Sequence, residues 1–426
     1  MTDNKFLKAL GPGILFASTC IGVSHLVQST RAGAVYGFSF LAAIILANLF
    51  KYPFFEFASR YTGSTGKSII NGYAKEGKWV LILYLVITVP SMFTVTAAVT
   101  FVTSGLLTNL TGIELAHNGW SAFLLGFCTI VLAIGRYKLL DNLLKFVGII
   151  LVLTTVTAFV TVLISGRAPQ AANFVAAEPM SIEGIVFVIA LMGWMPTAVD
   201  ISTWTSLWAE AKIKSSGHRP AMKETLADFN LGYWISAILA ICFLTLGAYI
   251  MYGTGQTFVN SAGGFAGQLI QMFTTTIGQW SYWVISIAAF STMFSTTITV
   301  VDGYSRAIQR TSFLLVNRSG RNEESRRSYV LWAVLVSVGG YFVIVLFLNN
   351  LKQLVDFATI VSFIIAAPAA YLNYHTIFSK QIPEEHRPGK RIKGLAIAGI
   401  VFLSVFTLIF LIIKMSPGLI EDMLRN

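Results

Sequence analysis

Two short runs hold most of the side chains that could do chemistry: GVSHLVQST at 22–30 and MGWMPTAVD at 192–200. The first supplies Gly22, Ser24 and His25, with Thr19 just before it, and the second supplies Met195 and Thr197. Asp200 follows Thr197 by three residues, a spacing that would put both on one helical face. Hydroxyls, an imidazole and a thioether around loosened backbone suit the binding of a small polar solute or ion. They do not suit bond chemistry. Five histidines and few carboxylates in apolar surroundings offer no paired acid and base and no metal-ligand spacing, so neither an enzyme, a resident metal nor a cofactor is expected.

The elements that carry these runs are membrane spans. Hydrophobic residues make up 55% of the 426 and charged residues only 12%, a balance that places the chain in a bilayer. A spanning helix needs roughly 20 mostly apolar residues. Stretches of that kind lie near 10–36, 38–60, 79–106, 119–135, 139–165, 183–209, 228–252, 278–302, 328–349, 353–375 and 394–414, and are numbered here as spans one to eleven. The N-terminal MTDNKFLKALGPG lacks the pattern of a removable signal, so span one is expected to stay. With the N-terminus in the cytoplasm, 23 of the 30 Lys and Arg fall in inside segments, beginning with Lys5 and Lys8. Only Arg167, Lys352 and Arg425 fall outside, while Arg31, Lys51, Lys145 and Lys414 lie within or at the ends of spans. The net charge of +11 therefore reports topology in a bacterial-type inner membrane, and no nucleic-acid partner is expected. Cys20, Cys128 and Cys242 sit inside spans and read as small apolar residues.

The connections near 305–327 and 376–393 are too short and too charged to bury a core, so residues 1–426 are read as one membrane domain and a monomer. The charged run RNEESRR (321–327) is a solvated connection, and TGSTGKS (62–68) is a loop, since Tyr61 stands where a phosphate loop needs its first glycine. Both chemistry-bearing runs interrupt a span. Pro196 removes a backbone donor, Gly193 loosens the preceding turn, and Gly22 opens a polar run at membrane depth. Freed backbone is tolerated there only where it is buried in protein or lines a cavity, and matched interruptions in two halves point to a transport site. Spans one and six stand in that relation in a five-plus-five inverted repeat: repeat one about 9–165, repeat two about 183–375, and an extra helix at about 394–414.

The sequence resembles the Nramp divalent-metal transporter family. The residues that carry the resemblance are Gly11 and Pro12 opening span one, Ala32, Gly33, Ala34, Tyr36 and Gly37 ending it, and Ala47 and Asn48 in span two. Thr65, Gly66 and Lys67 follow, with Met195 and Pro196 in span six. The resemblance implies an all-α integral membrane protein with the LeuT-type fold, eleven transmembrane helices with the first and sixth broken, and secondary active transport by rocking of one bundle against another. The family pattern is rewritten at the site. Where the family has an Asp-Pro-Gly-Asn run whose Asp and Asn hold the metal, this chain has Gly22, Val23, Ser24 and His25; Thr197 replaces the histidine that follows Met-Pro; and Val86 to Thr100 lacks the acidic residues tied to proton passage.

A centre of Thr19, Gly22, Ser24, His25, Met195 and Thr197 has no formal negative charge to offset the dehydration of a divalent cation. The positive ends of the half-helices, with His25 and Arg31, favour a small anion such as bicarbonate, or a neutral polar solute. Arg31 reads equally as a snorkelling anchor, and Asp200 as a carboxylate stabilising the start of the second half-helix. In the LeuT-type fold, hydroxyls of span eight help form a sodium site, so Ser291, Thr292 and Ser295, with Thr296, Thr297 and Thr299 nearby, imply sodium as a coupling ion. Two alternatives stay open: a divalent-cation transporter using Asp200, His25 and Met195, with protons as the coupling ion, and a membrane sensor that transports nothing.

Overall fold

An apolar segment in lipid must pair its own backbone groups, which leaves the α-helix as its open-chain solution. A computed structural model describes residues 11–115, 119–135, 137–316, 325–347 and 350–415, with no side chains given for 137–148. Lys5, Lys8, Arg321 and Arg425 lie outside the described residues, as does most of the 321–327 run. The described residues contain helices and no strand. Seven helices among them are long and apolar enough to cross a membrane: Leu41–Thr65, Lys78–Thr111, Met222–Ile250, Gln279–Val316, Arg326–Leu346, Leu351–Ile377 and Lys390–Met415. These correspond to spans two, three and seven to eleven. Spans four and five are the helices Gly119–Ile134 and Tyr137–Ser165.

Spans one and six are the interrupted pair. Span one runs Pro12–Cys20, turns at Ile21 and Gly22, and resumes as a π-helical stretch Ser24–Ser29 that passes into Thr30–Tyr36. Span six runs Ile182–Gly193, leaves the helix from Trp194 to Ala198, and resumes through a short turn Val199–Ile201 into Ser202–Ser216. Thr197 therefore lies off the helix, and the expected shared helical face with Asp200 does not form, because Pro196 withholds the donor that would continue the turn. The polar run after Gly22 is less unwound than expected, since a wider helix accommodates it.

Span seven packs along both halves of span one, and spans three and eight form another long contact. Small residues set the first distance: a Cβ on Gly33 would sit 1.9 Å from the Leu244 carbonyl oxygen. Span ten packs on the first half of span six, and span two on the second half. Asp228 of span seven caps the start of span one, accepting from the N–H groups of Gly11 and Gly13 at 3.1 and 2.7 Å. Two helices fall outside the eleven stretches, Ile69–Glu76 and Ala262–Ile277. The second was legible, because Ala262, Phe265, Ala266, Leu269, Ile270 and Phe273 recur at helical spacing and are all buried. The three cysteines are buried and unbridged.

Candidate functional site

The breaks in spans one and six meet across a small cavity of about 20 Å³, room for little more than one water. Four hydroxyl-bearing residues line it: Thr19 and Ser24 from span one, Thr197 from the span-six break and Thr296 from span eight. Its apolar walls come from Val95 and Val99 of span three, Val300 of span eight, and Trp194, whose indole N–H donates to Ser362 Oγ at 2.7 Å. No carboxylate is among the lining residues. Two of the hydroxyl protons are parked on helix carbonyls: Thr19 Oγ1 donates to Leu15 O at 2.8 Å, and Thr296 Oγ1 to Thr292 O at 3.1 Å. Each can turn toward a guest at the cost of one internal bond.

The remaining expected residues surround the cavity without lining it. His25 is fully buried and faces span seven, with Nε2 2.8 Å from Ser236 O and Nδ1 2.7 Å from Ser24 Oγ. A carbonyl can only accept, so the proton lies on Nε2 and Nδ1 accepts from Ser24. Gly22 packs against the Thr296 side chain, where a Cβ would come within 3.1 Å of Cγ2. Met195 is buried, its Sδ accepting from Ser29 Oγ at 4.0 Å. Among the described residues no group of three His, Cys, Asp or Glu could hold a metal ion.

Of the residues expected to hold sodium, Ser295 reaches span one, its Oγ 3.0 Å from Ser18 Oγ. Thr292 is buried with no partner for its hydroxyl among the described residues, and Ser291 is half-buried. Thr296 reaches the same turn, 3.2 Å from Ser18 O. Arg31 does not line the cavity. It is buried, forks onto Asp356 of span ten at 2.7 and 3.1 Å, donates to Gln28 at 2.9 Å and lies over the Phe187 ring. Asp200 is buried behind the cavity. Its Oδ2 accepts from Tyr304 at 3.4 Å, and Oδ1 has no partner among the described residues.

The residue that sequence reasoning passed over is Lys51 of span two. It is fully buried, and its ammonium donates to Met192 O at 2.6 Å, Gly193 O at 2.8 Å and Thr197 O at 3.3 Å. Met192 and Gly193 carry the last carbonyls of the first half-helix of span six, the negative end of its dipole. Thr197 O belongs to the unwound segment itself. Its charge sits mid-helix in Leu41–Thr65, and an ionisable group at that depth signals function by default.

The model of a family described as natural resistance-associated macrophage protein-like (Nramp) matches residues 13–413. An uncharacterised protein of Pasteurella multocida is 38% identical over 408 residues, covering 95% of this chain and 92% of that one. Crystal structures of the Eremococcus coleocola manganese transporter share the fold, one with a TM-score of 0.71 at 10% identity over 98% of this chain and 90% of the other. MhsT in complex with L-phenylalanine superposes with a TM-score of 0.56 at 12% identity, over 93% of this chain and 97% of that one.

Proposed function

This chain belongs to the Nramp family of multi-pass membrane transporters, and from that premise we propose that it carries a small anion or neutral polar solute, with bicarbonate as the first candidate, in place of a divalent metal. The observation that carries this reading is the charge around the breaks. The cavity has four hydroxyl-bearing residues and no carboxylate, and the side chain holding the carbonyls of the broken backbone is the amine of Lys51. A doubly charged ion there would shed its water without an anionic ligand to replace it. A singly charged anion or a neutral hydrogen-bonding solute would meet hydroxyls that can turn inward and the positive end of a half-helix.

At about 20 Å³ the cavity is too small for bicarbonate, so the solute would enter as the bundles move apart. A sodium ion coupled to transport would be held by Ser295 and Thr296 against the Ser18 turn, where oxygens of spans one and eight meet. The protein would work as one membrane domain with two inverted repeats, its N-terminus on the cytoplasmic side of an inner membrane.

One observation favours a second reading. Asp200 is a buried carboxylate with an unpartnered oxygen, and the fold is that of a manganese transporter, so Asp200 would be the ligand that recruits a divalent cation. Uptake into proteoliposomes decides between them. The proposal expects labelled bicarbonate to accumulate, and to lose its driving force when choline replaces sodium, while manganese and magnesium do not enter. Manganese accumulation without bicarbonate uptake would replace it with the second reading.

A further inference from the structure

We propose that Lys51 determines the sign of the charge this transporter accepts. It acts as a tethered cation that occupies the carbonyl cradle of the span-six break and biases the cavity beside it toward anions. The inference rests on the reading of the solute given above and names the residue responsible for it.

The geometry is that of a cation site already filled. Three carbonyl oxygens released by the interruption, those of Met192, Gly193 and Thr197, converge on one point, and neutral oxygens so arranged would coordinate a free cation. The ammonium fills that point with all three donors spent on backbone, and among the described residues no carboxylate lies within ion-pairing distance of it. At contact its charge meets neutral oxygens, and the Asp200 carboxylate acts on it from beyond hydrogen-bonding distance. The ammonium's charge is also carried to the cavity wall by a single residue, since Thr197 gives its carbonyl to Lys51 and lines the cavity itself.

A structural anchor alone would not need a charge. At the same break the Ala198 carbonyl is closed by a neutral donor, the Ile201 N–H at 3.3 Å. A fully enclosed ammonium costs far more to desolvate than an amide or a hydroxyl, so its charge is expected to have a use beyond closing the backbone. In the low dielectric of the bundle that charge reaches the neighbouring cavity with little screening.

The test uses the full chain in proteoliposomes, with sodium bicarbonate, manganese chloride and sodium chloride as probes, and three proteins: wild type, Lys51→Gln and Lys51→Arg. The glutamine amide can still donate to two carbonyls without charge, and the arginine keeps the charge. Wild type and Lys51→Arg should take up bicarbonate and exclude manganese. Lys51→Gln should lose bicarbonate uptake by about tenfold or more, the effect of 1.4 kcal/mol, while sodium or manganese raises its melting temperature by filling the emptied cradle. A folded Lys51→Gln protein with wild-type selectivity would overturn the assignment and leave the solute reading standing. Failure of both variants to fold would overturn it as well, placing Lys51 in structure alone. Manganese uptake and no bicarbonate uptake by the wild type would instead remove the solute reading beneath it.

Discussion

The two breaks solve the same problem in opposite ways. At span one the chain repairs itself: Gly22 N–H donates to Cys20 O at 2.8 Å, His25 and Leu26 N–H both return to Gly22 O, and the wider π-helical turn absorbs the misfit. At span six the repair comes from elsewhere. Lys51 of span two holds three carbonyls, Ser362 of span ten holds the Trp194 indole, and Gly193 lies so close to span ten that a Cβ would be 2.1 Å from Thr359 O. The difference teaches where each break can move. The first is an adjustable turn within one helix, whereas the second is a junction at which spans two, six and ten are tied together, so displacing it must engage its neighbours.

Removing the borrowed donor should do the most damage. Lys51→Met takes the ammonium from three buried carbonyls, of which Met192 O keeps the Met195 N–H at 3.3 Å, and is expected to cost about 3–5 kcal/mol, read as a large fall in melting temperature in detergent. The matching change at span one, His25→Ala, removes one bridge to Ser236 and one to Ser24, and should cost about 1–3 kcal/mol with solute selectivity retained. Equal losses from the two would erase the contrast. A finer comparison uses the glycines. Gly193→Ala must push span ten away and should cost about 1–3 kcal/mol, while Gly22→Ala meets only the end of the Thr296 side chain at 3.1 Å and should cost under about 1 kcal/mol. Thermal unfolding of the pair in one detergent would blunt the comparison if the order reversed.

The fold was open to reading because its signals are local. Gly22 announces one interruption, Gly193 and Pro196 the other, and apolar runs of helical length mark the spans. Thr19, Ser24 and Thr197 line the cavity between the interruptions. His25 and Met195 belong to the same runs but turn toward spans seven and one, because which side of an interrupted helix faces a neighbour depends on how far the backbone unwinds, and that is decided by packing. Arg31 could be placed by depth and not by partner, since Asp356 is 325 residues away. Lys51 was the signal left unused. An ammonium in the middle of Leu41–Thr65 demands acceptors at that depth, and the carbonyls freed by the second interruption were the ones without an assigned donor.

The central claim is that the meeting point of the two breaks lacks an anionic ligand and is backed by a positive charge. Calorimetric titration of manganese(II) into the purified wild-type chain tests it most directly. The account predicts heats of dilution alone, unchanged in Asp200→Asn. A saturable, micromolar binding isotherm in the wild type that Asp200→Asn abolishes would contradict it.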